Sequence, residues 1–121
     1  MLECKVNPMN IVFRVDASKR IGSGHLMRCL ILADEWKQIG AKVSFISREF
    51  PEHLAEWIIG KRRFVLHALS AEEVQMDAAE TIAVLKREQQ VDFLIVDHYG
   101  LDYAWEHQMW LCGFCCLQIC L

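Results

Sequence analysis

Between residues 11 and 109, short apolar runs alternate with longer stretches in which apolar residues recur at the helical period. This alternation is typical of βαβ units, in which a helix connects two parallel strands. The predicted strands are Ile11 to Val15, Lys42 to Ser47, Arg63 to His67 and Phe93 to Asp97. The last is apolar at four successive positions, as expected of a strand covered on both faces. The sequence therefore predicts an α/β fold, a Rossmann-like parallel sheet flanked by helices.

Helix boundaries in the sequence agree with this pattern. The first helix begins near Gly24 and stops at Gly40. Further helices begin at Pro51, at a capping box opened by Ser70, and at Asp102. The first helix has one apolar face, which should pack on the sheet and consists of Leu26, Cys29, Leu30, Ala33 and Trp36.

Composition and charge favour a soluble globular domain and argue against nucleic-acid and membrane partners. The chain has 121 residues, 54% of them hydrophobic, and a net charge of −3, which fits one soluble globular domain. The acidic balance argues against a nucleic-acid partner, because the longest basic run is Lys61-Arg62-Arg63. The sequence also lacks a signal peptide pattern and an apolar stretch of membrane-spanning length. We therefore expect a cytoplasmic protein with no membrane partner, while its oligomeric state stays open.

The sequence changes character after residue 109. The segment from Trp110 to Leu121 carries no charge and holds Cys112, Cys115, Cys116 and Cys120. We divide the chain into a lobe, residues 1–109, and a Cys-rich apolar tail, residues 110–121, which we interpret as a truncation or a shifted reading frame. Two alternatives are a zinc site, disfavoured because the ligands are crowded, and a helix or edge strand packed on the sheet.

Two segments follow predicted strands at the edge where ligands of open parallel sheets bind. Asp16 to His25 follows the first strand, and Asp97-His98-Tyr99-Gly100 follows the fourth. Gly22 and Gly24 precede a helix, so they form either an anion-binding turn or simply a tight connection. A third glycine and a Gly-Lys-Ser/Thr sequence are absent, which excludes the dinucleotide fingerprint and the P-loop.

Several ionisable residues in these segments could carry chemistry. His25 lies in the first helical turn, where the dipole keeps imidazole neutral and able to act as a general base, or it merely solvates the helix start. Arg28, one turn later, could bind phosphate, pair with Asp16 or form a surface salt bridge. Asp97 and His98 end a buried strand and therefore either line a cleft or anchor a loop. No known metal-ligand spacing is present among these residues.

The segments Arg14 to Ala33 and Phe93 to Glu106 together resemble the family of UDP-2,4-diacetamido-2,4,6-trideoxy-β-L-altropyranose hydrolases of pseudaminic acid biosynthesis. The resemblance is carried by His25, which follows Gly24 and precedes Leu-Met-Arg-Cys-Leu, and by Val-Asp-His-Tyr-Gly at residues 96–100. It covers residues 11 to 109. It implies the N-terminal lobe of a glycosyltransferase-B-type fold, with the second lobe absent from this sequence.

The resemblance also implies a reaction. Water attacks the anomeric carbon of a UDP-sugar, UDP leaves with inversion, and no metal or cofactor takes part. His25 corresponds to the base that activates water, and Tyr99 to a residue lining the sugar site. Asp16, Gly22, Gly24, Arg28, Asp97 and His98 match substrate-binding motif positions. The alternatives are a noncatalytic fragment of such an enzyme and a lobe of a related sugar-nucleotide glycosyltransferase.

Overall fold

The computed structural model describes residues 8–17, 24–56, 64–70, 74–88, 90–97 and 101–118. Within these ranges, only the backbone is described at residues 25, 54, 55, 74 and 75.

The strands form one parallel sheet. They are β1 (Asn10–Val15), β2 (Lys42–Ser47), β3 (Val65–Ala68), β4 (Phe93–Asp97) and β5 (Cys116–Gln118). Their spatial order is β3-β2-β1-β4-β5, and every pairing is parallel. The predicted α/β, Rossmann-like fold is therefore confirmed, while the glycosyltransferase-B assignment stays a prediction. The third strand begins two residues later than predicted, at Val65, and β5 is an additional strand.

The helices lie between the strands as the periodicity predicts. They are α1 (Gly24–Gln38), α2 (Glu52–Glu56), α3 (Val74–Arg87) and α4 (Tyr103–Leu111). Asp102 caps α4, because its side chain accepts a hydrogen bond from the backbone N–H of Trp105 at 3.1 Å. The second helix, predicted to begin at Pro51, is described from Glu52 to Glu56.

Alternate residues of β1 enter two different cores. Ile11, Phe13 and Val15 face the cluster that contains the buried side of α1. Val12 faces a second cluster, formed with buried residues of α3 and α4. This two-sided burial follows from the period of two along a strand, and it places α1 on one face of the sheet and the pair α3 and α4 on the other.

The tail contributes regular structure at one edge of the sheet. Trp110 and Leu111 complete α4, and β5 pairs with β4 in the register Ile95 to Leu117. Among the alternatives for this segment, a helix and an edge strand are therefore what the structure contains. The division of the chain at residue 109 stays a prediction. Cys112, Cys115 and Cys116 are free thiols.

A polar cluster joins the amino ends of β1 and β2 to the end of α3. Half-buried Glu88 accepts hydrogen bonds from Lys42 Nζ at 2.9 Å and Asn10 Nδ2 at 3.3 Å, and His67 Nε2 lies 3.7 Å away. Burial favours the neutral acid, but the hydrogen bonds from Lys42 and Asn10 outweigh it, so the pKa of Glu88 lies below its ordinary value of 4.5.

Candidate functional site

The strand order places a topological switch point between β1 and β4. From β1 the chain proceeds through α1 to β2 on one side, and it returns through α3 to β4 on the other side. In open α/β sheets, ligands bind beyond the carboxyl ends of the strands at such a point. Val15 and Asp97 are register partners there. The two segments singled out from the sequence therefore leave the sheet side by side.

Asp97 is the last residue of β4 and its side chain faces α1. Its Oδ2 atom lies 3.3 Å from Arg28 Nη2 and 3.9 Å from the Sγ atom of Cys29. The Asp97 side chain is almost fully buried, whereas that of Arg28 is 35% exposed. Arg28 thus pairs with a buried carboxylate near the start of α1, while its side chain as a whole stays partly exposed.

Cys29 contributes packing and a weak hydrogen bond to this contact. Burial, the charge of Asp97 and the hydrogen bond to it raise the pKa of the Cys29 thiol to about 12, against the opposing charge of Arg28. A thiol in this state is protonated at neutral pH. Cys29 is therefore not a nucleophile here, because the thiolate is the reactive form.

Gly24 is the first residue of α1. Positive φ angles among the described glycines occur at Gly40 and Gly113, so the backbone at Gly24 does not require a glycine. A Cβ atom at this position would lie 3.9 Å from Arg28 Nη1, an ordinary van der Waals distance. Neither the conformation of residue 24 nor its packing against the described residues requires a glycine.

Asp16 directly follows β1 and faces away from α1. Its Oδ1 atom accepts hydrogen bonds from Arg14 Nη1 at 2.7 Å and from the backbone N–H groups of Arg48 and Glu49 at 2.8 and 3.3 Å. Its Oδ2 atom lies 3.3 Å from Arg14 Nη2. The described partner of Arg28 is Asp97, which was not among the alternatives considered for it, and Asp16 pairs with Arg14.

Arg14 is a fully buried cation in the middle of the sheet. Besides Asp16, it binds Asp77 of α3 through Nε at 3.1 Å and through Nη2. Burial opposes its charge, but the hydrogen bond to Asp77 and the charge of Asp16 outweigh burial, so the pKa of Arg14 lies above its ordinary value. Trp105 Nε1 and Thr81 Oγ1 donate to Asp77 Oδ1 at 2.9 and 3.2 Å.

Sequence reasoning missed the partners of this buried network. Arg14, Asp77, Thr81 and Trp105 were not among the candidate site residues. A signal was present, because Arg14 interrupts an apolar strand and Asp77 and Thr81 lie on the apolar face of α3. A buried charge requires a charged or hydrogen-bonded partner, but the sequence does not say which residue supplies it.

The remaining predicted site residues are placed only in part. His25 is the second residue of α1, and only its backbone is described. Gly22, His98 and Tyr99 lie outside the described residues. Across the described ranges, no group of three or more His, Cys, Asp or Glu side chains converges as metal ligands. No helix in the described part of the chain is long and apolar enough to cross a membrane.

Comparison with known proteins identifies a relative. The chain is 33% identical over 94 residues to the UDP-2,4-diacetamido-2,4,6-trideoxy-β-L-altropyranose hydrolase of Campylobacter jejuni subsp. jejuni serotype O:2. The resemblance expected from the motifs is confirmed. The matched segment covers 78% of this chain and 30% of the hydrolase, so the chain spans less than a third of that relative's length. No protein-family model matches the chain, and no solved structure matches it significantly.

Proposed function

We propose that this chain forms the catalytic lobe of a UDP-sugar hydrolase whose substrate is UDP-2,4-diacetamido-2,4,6-trideoxy-β-L-altropyranose. The observation that carries the proposal is the sequence similarity to the hydrolase of that name. The topology supports it, because the two motif segments of the resemblance leave adjacent strands at the switch point of the sheet.

In the proposed reaction, His25 is the general base. A water molecule attacks the anomeric carbon, its oxygen forms the new bond, and its proton passes to the imidazole. The bond from that carbon to the diphosphate oxygen breaks, UDP leaves with the electron pair, and the configuration inverts. Position in the first turn of α1 favours neutral imidazole, and a positioned base contributes about 10²- to 10⁴-fold to such a step.

The departing diphosphate requires positive charge and hydrogen-bond donors. The N-terminus of α1 supplies backbone N–H groups, and Gly22 and Gly24 would let the ligand approach them closely. The exposed part of Arg28 adds a cation, held in place by Asp97. We assign Tyr99 and His98, which follow β4, to the sugar. In a glycosyltransferase-B arrangement, a second lobe would cover the nucleotide.

The test is UDP release by the purified chain from this UDP-sugar, with His25→Ala as the variant. His53→Ala is the matched control, because it makes the same change at an exposed position on α2. The proposal expects release that is lost in His25→Ala and retained in His53→Ala. Hydrolysis in ¹⁸O-labelled water should place the label in the sugar, whereas label in UDP would mean attack at phosphorus and would contradict the mechanism.

A second candidate is a noncatalytic lobe, since the similarity that supports catalysis extends over 30% of the relative. It expects a folded chain that binds the UDP-sugar in isothermal titration calorimetry without releasing UDP. Equal release by the wild type and His25→Ala would exclude His25 as the base. Absence of both release and binding by a folded chain would refute both candidates.

A further inference from the structure

A row of three rings lies on the outer face of α4. Tyr103, His107 and Trp110 follow one another at spacings of four and three residues, which place them on one side of a helix. Adjacent rings are nearly parallel, with centroids 5.7 Å and 5.9 Å apart. The buried residues of α4, Trp105 and Met109, lie on the opposite side. The row therefore stays at the surface, where Tyr103 is 78% exposed.

A cavity lies between this row and the turn that leads from α4 to β5. Gly113 ends the helix with a φ of +86°, the left-handed conformation that is typical of a helix C-terminus. The chain then reverses, so that the residues before β5 lie beside the outer face of α4. The cavity has a volume of about 410 Å³ and is lined by Tyr103, Glu106, His107, Trp110, Phe114, Cys115 and Cys116. This volume is in the range of small-molecule sites.

Glu106 gives the cavity a negative charge. Among the described residues that line it, Glu106 is the only one with a carboxylate, ammonium or guanidinium group. Gln118 Nε2 donates a hydrogen bond to Glu106 Oε1, but a neutral amide leaves the carboxylate its charge. Burial, the charge of Glu106 and that of Cys115 raise the pKa of the Cys116 thiol to about 11, so this thiol is neutral at pH 7. The lining therefore combines aromatic rings with one carboxylate.

This combination favours an organic cation as the ligand. The face of an aromatic ring carries partial negative charge and attracts ammonium groups, and several rings together recognise quaternary ammonium ligands. The Glu106 carboxylate adds a direct attraction between charges and repels anions such as phosphate. A sugar requires several strong hydrogen-bonding partners, whereas the thiols of Cys115 and Cys116 bond only weakly.

We propose that the cavity between α4 and the start of β5 binds a small organic cation of the quaternary ammonium class. In this site, Tyr103 and Trp110 contact the methyl groups of the cation, and Glu106 supplies the opposite charge. The cavity shares no residue with the candidate site at the switch point, so the proposal does not depend on the proposed function.

The experiment is a titration of the ¹⁵N-labelled chain, followed by NMR, with choline and with 3,3-dimethyl-1-butanol. The alcohol has the shape of choline with a carbon atom in place of the charged nitrogen. At pH 8, where histidine side chains are ordinarily neutral, choline should bind about 10-fold or more tightly than the alcohol. Choline should shift the indole N–H signal of Trp110. The indole N–H of Trp105, which donates to Asp77 in the core at 2.9 Å, should not shift.

Three variants identify the groups responsible. Glu106→Gln removes the charge and keeps an oxygen that can accept the bond from Gln118, so choline binding should weaken about 10-fold while alcohol binding stays unchanged. Tyr103→Leu removes one exposed ring and should weaken choline binding about 3-fold. Glu35→Gln, the same charge change at an exposed position of α1 on the other face of the sheet, is the control and should not alter affinity.

Several results would overturn the proposal. Equal affinity for choline and the alcohol would mean an apolar groove without preference for a cation, and no shift of Trp110 with either ligand would mean no site. A Trp110 signal that shifts with protein concentration in the absence of ligand would show that a second copy covers the rings. Equal weakening by Glu106→Gln and Glu35→Gln would mean unspecific attraction. The comparison of the two ligands uses the wild type alone, so it decides the question even if a variant does not fold.

Discussion

Arg28 holds the carboxylate of Asp97 at 3.3 Å, so the first turns of α1 are joined to the last residue of β4 across the switch point of the sheet. The pair combines a buried anion with a cation that is partly exposed. Such a contact can serve both folding and ligand binding, and the two roles are separable by mutation.

Replacing Arg28 by Gln should lower the free energy of unfolding by about 1 kcal/mol, because the buried Asp97 carboxylate loses its cation while solvent still screens that side. Chemical denaturation measures this change. The double variant with Asp97→Asn should recover part of the loss, since position 97 then carries no buried charge. Additive losses in the double variant would show that the two side chains are not energetically coupled.

Gly24→Ala should separate folding from binding. Since φ at Gly24 is not positive and no described residue would crowd a Cβ atom there, stability should be unchanged or up to about 1 kcal/mol higher. Binding of the UDP-sugar should weaken, because a methyl group would obstruct the approach of the diphosphate to the helix N-terminus. Thermal unfolding and calorimetric titration of the same preparation test both halves. Unaltered affinity would exclude Gly24 from the ligand site.

The Glu88 cluster should make stability depend on acid pH. A carboxyl group with a lowered folded-state pKa stabilises the protein fully above its unfolded value of about 4.5, and this contribution disappears as pH falls through the folded pKa. Glu88→Gln should therefore lower the free energy of unfolding at pH 7, by about 1 kcal/mol or less because Lys42 is exposed. The variant should also lose less stability than the wild type when the pH falls below 4.5. Parallel wild-type and variant profiles, measured by denaturation from pH 3 to 7, would contradict this role.

The described cysteines should react at very different rates. Cys29 is buried with a pKa of about 12, whereas Cys112 and Cys115 are exposed. Iodoacetamide at pH 7.5 should modify Cys112 and Cys115 while Cys29 stays unmodified until the protein unfolds. Peptide mass spectrometry over time resolves the sites. Early labelling of Cys29 in the native protein would mean that α1 opens readily from the sheet.

The β5 edge should limit solubility. In the described sheet, β5 is an edge strand that pairs with β4. Leu117 of β5 is 45% exposed, and Trp110 at the end of α4 is 69% exposed. An uncharged, apolar strand edge favours association between chains. Leu117→Lys should raise the concentration at which light scattering reports monodisperse protein, while Lys37→Gln, a charge change elsewhere, should not. Equal solubility of wild type and Leu117→Lys would show that this edge does not limit solubility.

The predictions from sequence succeeded where the physical signal is local. The strand β4 follows from its run of apolar residues, Asp102 from its capping position, and the buried side of α1 from the helical period. An edge strand was only one of several alternatives for the tail. The three residues of β5 are too few to show the alternation of apolar and polar residues that is typical of a strand. The resemblance located the candidate site through motifs, while the roles of His25 and Tyr99 stay predictions.

By itself, the sequence determined the strands β1 to β4 and the helices between them, because those depend on neighbours along the chain. It also determined that the segments after β1 and β4 carry polar residues. Tertiary structure alone decided the partners. Arg14 and Asp77 are separated by 63 positions in sequence and Arg28 and Asp97 by 69, so no periodicity or turn signal connects them. They meet because the strand order places β1 between β2 and β4, with α1 and α3 on opposite faces of the sheet. A buried charge requires an oppositely charged partner, and this arrangement supplies one to each.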